Sequence, residues 1–199
     1  MKKLMTLFMT LAMTLGLAAH AAEAAPAFTL TDAHGEEHSL SDYEGKIVVL
    51  EWVNHGCPFV VKFYAGGHMQ AMQEEMAEKG VVWLSICSSA PNTQGWMSRE
   101  DQAKTIEEKN IKAKAVLIDE DGTVGRAYGA RTTPHMYVID GEGKLRYQGA
   151  IDSIRSTRAS DIEKADNYVR AAVEAILAGE EVDPKQTQPY GCSVKYASN

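Results

Sequence analysis

The chain of 199 residues has little cysteine, three in all. That is too few for the disulfide framework of a small secreted scaffold, and an odd count leaves at least one thiol free or bonded to another molecule. It also lacks an excess of basic charge: 20 Lys and Arg stand against 27 Asp and Glu, for a formal net charge of −7. Nucleic acid and anionic membrane surfaces both demand clustered cations, so neither is expected as the main partner. There is no collagen-like or low-complexity bias, and 45% hydrophobic with 24% charged residues is a globular balance. The length suits one compact domain.

The single apolar run of note is at the start. Met1-Lys2-Lys3 forms a short cationic region, Leu4 to Leu17 is apolar with interspersed Thr, and Ala19-His20-Ala21 supplies small residues before a cleavage point. The run falls short of the ~20 residues that span a bilayer, so residues 1–21 are expected to be a secretory signal rather than an anchor. Residues 22–199 then form one domain with a tail from about 180. Cleavage removes two lysines and no acid, leaving a more acidic mature protein with no membrane span. Export, in a bacterial periplasm by the style of the leader, places the cysteines where disulfides persist.

Beyond the leader, strand and helix patterns alternate. Phe28–Thr31 and His38–Leu40 flank Asp32-Ala33-His34-Gly35 as an N-terminal hairpin. Ile47–Val53 is a strand, followed by a Gly-Cys-Pro turn and a helical stretch with Phe59, Phe63, Met69, Met72 and Met76, closed by Gly80. Val81–Cys87 is the next strand. Ser98 with Asp101 resembles a capping box opening a helix to about Asn110. Ala115–Asp119 and Met136–Asp140 are further strands, and Lys144–Ile151 returns antiparallel after Gly141-Glu142-Gly143. Asp161–Ala178 is a final amphipathic helix stopped by Gly179. The order predicts an α/β fold of three layers, α/β/α, around a mixed parallel and antiparallel sheet. The helical crossover makes Ile47–Val53 and Val81–Cys87 parallel, which puts the loop after Val53 at the carboxyl end of a central strand, where reactive groups collect in open α/β folds.

That loop is Asn54-His55-Gly56-Cys57-Pro58-Phe59. Proline suits the first helical position, so Cys57 stands at the helix N-cap. There, unpaired N–H groups and the helix dipole lower a thiol pKa, which makes Cys57 a candidate nucleophile; a buried structural cysteine is the alternative. Glu51 interrupts an apolar run six residues earlier. Desolvated, its carboxyl would have a raised pKa and could exchange a proton with a nearby thiol; the alternative is solvent access at a sheet edge or a pair with Lys46. Pro134, in Thr132-Thr133-Pro134-His135, leads into a strand with its isomer open. His55 and His135 both lie near strand ends and, with Cys57, offer a soft metal site, although histidines so placed are more often hydrogen-bonded loop residues. No cofactor or metal is expected.

Leu50-Glu51-Trp52-Val53-Asn54-His55-Gly56-Cys57-Pro58-Phe59-Val60, Gly67-His68-Met69-Gln70, the stretch 81–91, the Thr-Pro before a strand and the closing Gly191-Cys192-Ser193-Val194-Lys195-Tyr196 together resemble the thioredoxin-like redoxins, and more closely their peroxiredoxin-like branch (alkyl hydroperoxide reductase and thiol-specific antioxidant relatives). The resemblance covers nearly all of the mature chain and implies a thioredoxin fold. It matches Cys57 to the nucleophile of Cys-x-x-Cys, with Val60 where the second cysteine would be, Glu51 to a buried Asp, and Pro134 to a cis-proline that packs on the active cysteine and positions substrate backbone. Peroxiredoxins share Pro-x-x-x-Thr-x-x-Cys; the corresponding positions before Cys57 are Leu50 and Asn54, so an efficient peroxidase is disfavoured.

An oxidised or client-bonded Cys57 needs a resolving thiol, either Cys87 or Cys192. The resemblance favours Cys192, in a tail that could fold back over the sheet; a free tail thiol or an intermolecular bond is the alternative. Cys87 reads as a buried thiol, with pairing to Cys57 the exception. The expected function is thiol–disulfide exchange with protein thiols or disulfides, or with a small thiol or peroxide. A weak peroxidase, a metal-binding protein using Cys57 with His55 or His135, and an idle binding module are the rivals.

Overall fold

Strand β3 (Val48–Trp52) is buried along its whole length, because its residues alternate between two cores. Val48, Leu50 and Trp52 face one, and Val49 and, just past the strand, Val53 face the other. The computed structural model describes residues 23–198; the expected signal segment lies outside the described residues. Around β3, a seven-stranded sheet runs in the order β2-β1-β5-β4-β3-β7-β8. The other strands of this sheet are β1 (Thr29–Asp32), β2 (Glu37–Ser39), β4 (Val82–Cys87), β5 (Ala115–Ile118), β7 (His135–Ile139) and β8 (Leu145–Gly149). β3 pairs parallel with β4 and antiparallel with β7, and β4 pairs parallel with β5. The mixed sheet, the parallel crossover and the N-terminal hairpin β1–β2 are as expected.

Helices cover both faces unequally. One core gathers Val60 and Phe63 of α1 (Pro58–Tyr64), Met69, Met72 and Met76 of α2 (His68–Glu78), Val169 and Val173 of α5 (Tyr168–Leu177), and Ile106 of α3 (Arg99–Glu108). The other face is closed by α4 (Thr123–Ala127), through Val124, and by N-terminal residues such as Phe28. Ser98 caps α3, accepting the Asp101 N–H at 3.1 Å.

Three elements differ from the sequence reading. The stretch after Cys57 is two helices, because Gly67 adopts φ +76° and starts a new one. The last helix starts later: Ala159–Lys164 is a 3₁₀ turn, and Asn167 caps α5 by accepting the Arg170 N–H at 2.9 Å. The five-residue helix α4 was not expected at all. The tail does fold back over the carboxyl end of the sheet, where β9 (Cys192–Ser193) pairs antiparallel with β6 (Thr132–Thr133), a ladder too short to read from sequence. No helix among the described residues is long and apolar enough to cross a membrane.

Candidate active site

Cys57 is the N-cap of α1 with Pro58 in the first turn, and it is fully buried. The strand-to-helix turn is held locally: the Gly56 N–H donates to Asn54 Oδ1 at 2.8 Å and the Cys57 N–H to the Asn54 carbonyl at 2.9 Å. Across from it, the Thr133–Pro134 peptide bond is cis, and the Thr133 carbonyl oxygen lies 3.1 Å from Cys57 Sγ. The β6–β9 pairing sets Cys192 opposite Thr133, which brings Cys192 Sγ to 2.7 Å from Cys57 Sγ. Both thiols are free. A disulfide requires about 2.05 Å, so bond formation needs movement of well under an ångström. The two cysteines fit a redox-active pair.

Their acidities diverge. Burial alone would push the Cys57 thiol up, but the neighbouring Cys192 thiol, Thr133 and the backbone of Cys192 and Phe59 outweigh it and hold Cys57 below its ordinary value. Burial, and then the bond and charge of Cys57, push Cys192 up to about 11. Cys57 ionises first, and Cys192 keeps its proton and donates it toward the thiolate.

Glu51 is completely buried, not at a sheet edge and not paired with Lys46. Its Oε2 accepts three hydrogen bonds, from Tyr64 Oη at 2.9 Å, Trp83 Nε1 at 3.0 Å and Ser85 Oγ at 3.0 Å. Gln73 Nε2 donates to Tyr64 Oη at 3.1 Å behind them. Oε1 has no protein partner, so it is the oxygen left to carry a proton. Burial outweighs the three donors and raises the carboxyl to about 7. Tyr64, Gln73, Trp83 and Ser85 were not anticipated. Ser85 carried a signal, as a polar residue in the apolar run 81–87 standing opposite Glu51 in the parallel register.

Lys62, one turn beyond Cys57, was also missed: its side chain is fully buried and meets Asp152 Oδ2 at 3.0 Å. Tyr190 of the tail donates its hydroxyl to the other Asp152 oxygen, tying the tail to this ion pair two residues before Cys192.

The histidines do not join the cysteines. The His55 ring stands edge-on to Tyr64 at 4.9 Å and faces a cleft lined by Gln70 and Lys109; burial lowers it to about 4. His135 is buried beside Tyr137, whose hydroxyl is 3.0 Å from Nδ1, and burial lowers it to about 3. Among the described residues, the group of three metal-type ligands close enough for one ion is Asp32, Glu36 and His38, where His38 already bonds Tyr43 and Asp32. Among the described residues neither histidine is grouped with Cys57 as a set of metal ligands; the His135 ring is held by Tyr137, whereas both His55 nitrogens are buried without a hydrogen-bond partner. Cys87 is buried, its thiol pushed up by burial and lying 3.4 Å from the Gly95 carbonyl, apart from the Cys57–Cys192 pair.

Known proteins resemble this chain in sequence and in fold. A thiol-disulfide oxidoreductase ResA of Geobacillus thermodenitrificans is 28% identical over 122 residues, which are 61% of this chain and 64% of that protein. The chain thus matches less than two thirds of this relative's length. An uncharacterized conserved protein from Geobacillus kaustophilus superimposes with a TM-score of 0.79 at 29% identity, over 89% of this chain and 93% of that one. A Chlorobium tepidum chain described as a candidate thiol:disulfide interchange protein DsbE aligns with a TM-score of 0.52 at 26% identity, over 64% of this chain and 82% of that one. The mixed sheet and its helices form a thioredoxin-like fold, as in the solved thioredoxin domain of a thiol-disulfide oxidoreductase from Bacteroides vulgatus, which aligns with a TM-score of 0.51 at 24% identity over 73% of this chain and 98% of that one. The family model described as AhpC/TSA matches residues 21–148, well over half of the sequence, and the chain belongs to the AhpC/TSA family.

Proposed function

We propose that this protein catalyses thiol–disulfide exchange, with Cys57 as nucleophile and Cys192 as resolving cysteine, acting on protein thiols or disulfides. The observation that carries the reading is the 2.7 Å separation of the two sulfurs, with their acidities shifted in opposite directions. A Cys57 thiolate attacks a client disulfide, releasing one client thiolate and leaving a mixed disulfide. Cys192, once deprotonated, attacks Cys57 Sγ and releases the second client thiolate, so the client gains two electrons and the pair loses them. Run backwards, the same steps oxidise a client. Glu51, six residues before Cys57 in sequence and raised to about 7 by burial, is the carboxyl we assign to proton exchange with the thiols near neutral pH. Pro134 shapes the strip beside Cys57 along which client backbone lies.

Family membership alone does not favour peroxidase chemistry. Leu50 and Asn54 stand where peroxiredoxins carry the Pro and Thr of their motif, and Asn54 is engaged in holding the Cys57 turn. The cationic and apolar segment 1–21 supports export to the periplasm, where an exchange protein meets disulfides.

Non-reducing peptide mass spectrometry tests the reading. Mild oxidation should give a Cys57–Cys192 disulfide with Cys87 free; Cys57→Ser should abolish exchange, and Cys192→Ser should accumulate mixed disulfides on Cys57. Full exchange activity in Cys57→Ser, together with no 57–192 bond in the oxidised protein, would refute it.

A further inference from the structure

The tail is fixed on both sides of Cys192, by groups that do no chemistry of their own. On the near side, Thr187 N–H donates to the Gln148 carbonyl at 3.1 Å, Thr187 Oγ1 accepts from the Ala150 N–H at 2.9 Å, and Tyr190 reaches Asp152. On the far side, Val194 N–H donates to the Arg131 carbonyl at 3.0 Å, Ala90 N–H to the Lys195 carbonyl at 2.8 Å, and Tyr196 Oη to the Ala130 carbonyl at 2.7 Å. The body of the protein leaves room for this path. A Cβ on Gly149 would strike Thr187, one on Gly125 would strike Tyr196, and one on Gly191 would strike the Thr133 carbonyl. Gly191 also needs φ +143°.

Between these anchors, Cys192–Ser193 lies as a strand along Thr132–Thr133, the backbone edge that borders Cys57, and Cys57 is left with no exposed surface. An unpaired backbone edge takes up extended peptides by main-chain hydrogen bonding. We propose that the tail, residues 187–196, is the resident occupant of this edge, and that an extended, cysteine-bearing segment of a protein client binds by replacing it strand for strand. The proposal rests on thiol–disulfide exchange at Cys57 and adds how the client gains access and how it is released. While the client holds the edge, Cys192 is displaced and the mixed disulfide Cys57–S–S–client is protected from premature resolution. For resolution the tail retakes the edge, and the client sulfur swings to the far side of Cys57 Sγ, in line with the incoming Cys192 thiolate. The Cys57–client S–S bond breaks as the Cys57–Cys192 bond forms, and the client leaves as a thiolate. Return of the tail and expulsion of the client are then one event.

The test uses the full chain carrying Cys192→Ser, which stops at the mixed disulfide, and two probes: a ten-residue peptide disulfide-bonded to 2-thiopyridine, and methyl methanethiosulfonate, which transfers only a methylthio group to Cys57, releasing methanesulfinate, to give the small Cys57–S–S–CH3 disulfide, the S-methyl adduct below. Hydrogen exchange should show the tail amides, Thr187 and Val194 among them, exchanging at least about tenfold faster in the peptide adduct, with the S-methyl adduct close to the unmodified protein. A peptide adduct with an unchanged tail overturns the proposal and leaves the exchange reading intact, and so does an S-methyl adduct that frees the tail equally. Failure of either probe to modify Cys57 overturns both readings. Independently, Tyr196→Ala, which touches neither cysteine, should speed peptide attack by about tenfold, because the rate follows the fraction of molecules with an open tail; an unchanged rate overturns the proposal.

Discussion

Replacing Glu51 by Gln should change how stability depends on pH, in a direction and size that the structure dictates. The carboxyl is fully buried and is raised from 4.5 to about 7, chiefly by burial. Its folded state therefore binds a proton more tightly than the unfolded chain does. The contribution of Glu51 is most favourable below pH 4.5, where both states are protonated. It declines as pH rises from 4.5 to 7, as the unfolded chain loses its proton first, and is level above 7. At 1.36 kcal/mol per pKa unit the decline is about 3 kcal/mol. Gln places an acceptor where Oε2 meets Tyr64, Trp83 and Ser85, and an uncharged amide where Oε1 has no partner, so it keeps the shape of the neutral acid without its titration. Urea unfolding of both proteins, with the cysteines kept reduced, measures the difference at each pH. His55 and His135, lowered by burial to about 4 and 3, contribute in the opposite sense, since the unfolded chain takes up their protons first as pH falls; being common to both proteins, they cancel. The variant should gain about 3 kcal/mol over wild type between pH 4.5 and 7. A difference that stays flat across that window refutes a neutral, buried Glu51, and with it the proton-exchange role.

Removing the Cys192 thiol with Cys192→Ala takes away the strongest of the influences that lower Cys57, so the Cys57 thiolate absorbance should appear at higher pH; no movement would mean that Cys192 does not donate to it. Asp152→Ala strands the Lys62 ammonium, whose side chain is fully buried, and should cost about 3–5 kcal/mol in urea unfolding, whereas a loss below about 1 kcal/mol would indicate a solvated pair. Cys87→Ala should leave disulfide exchange unchanged, because its thiol lies against the Gly95 carbonyl rather than the redox pair; loss of exchange in a folded variant would give Cys87 a chemical role.

Much of this was legible because it is local. Pro58 after Cys57, at the end of an apolar strand, encodes an N-capping cysteine through backbone rules that operate within a few residues. Gly67 was equally local and went unread: Phe59 and Phe63 on one side of it and Met69, Met72 and Met76 on the other keep helical spacing, and the six-residue step from Phe63 to Met69 that marks the break was passed over. The environment of Glu51 was legible only as two alternatives. Which one holds depends on the register that lays Ser85 opposite Glu51 and on the helix that brings Tyr64 over it, and register is a long-range property. His55 and His135 suggested ligands by composition, but their orientation is set by the tyrosines they pack against. The approach of Cys192 to Cys57 depended on resemblance, since two residues of ladder, Thr132–Thr133 with Cys192–Ser193, carry no periodic pattern.

With Val60 where a second loop cysteine would stand, the proposed partner of Cys57 lies 135 residues away in sequence, and on that reading the redox equilibrium is a property of tertiary structure. A disulfide across so long a loop constrains the unfolded chain by about 5 kcal/mol in a chain-entropy treatment, so oxidation and folding stability are linked. In the folded protein the linkage is to tail docking instead. The disulfide forms in proportion to the fraction of reduced molecules whose tail already holds Cys192 in place. While that fraction is near one, weakening Tyr190 or Tyr196 costs the reduced and oxidised forms alike and leaves the potential unchanged. Once docking in the reduced form becomes marginal, each further 1.4 kcal/mol makes the pair more oxidising by about 30 mV. The contacts at Thr187, Tyr190, Val194 and Tyr196 therefore set a reserve, and the potential stays fixed against small perturbations of the tail until that reserve is spent.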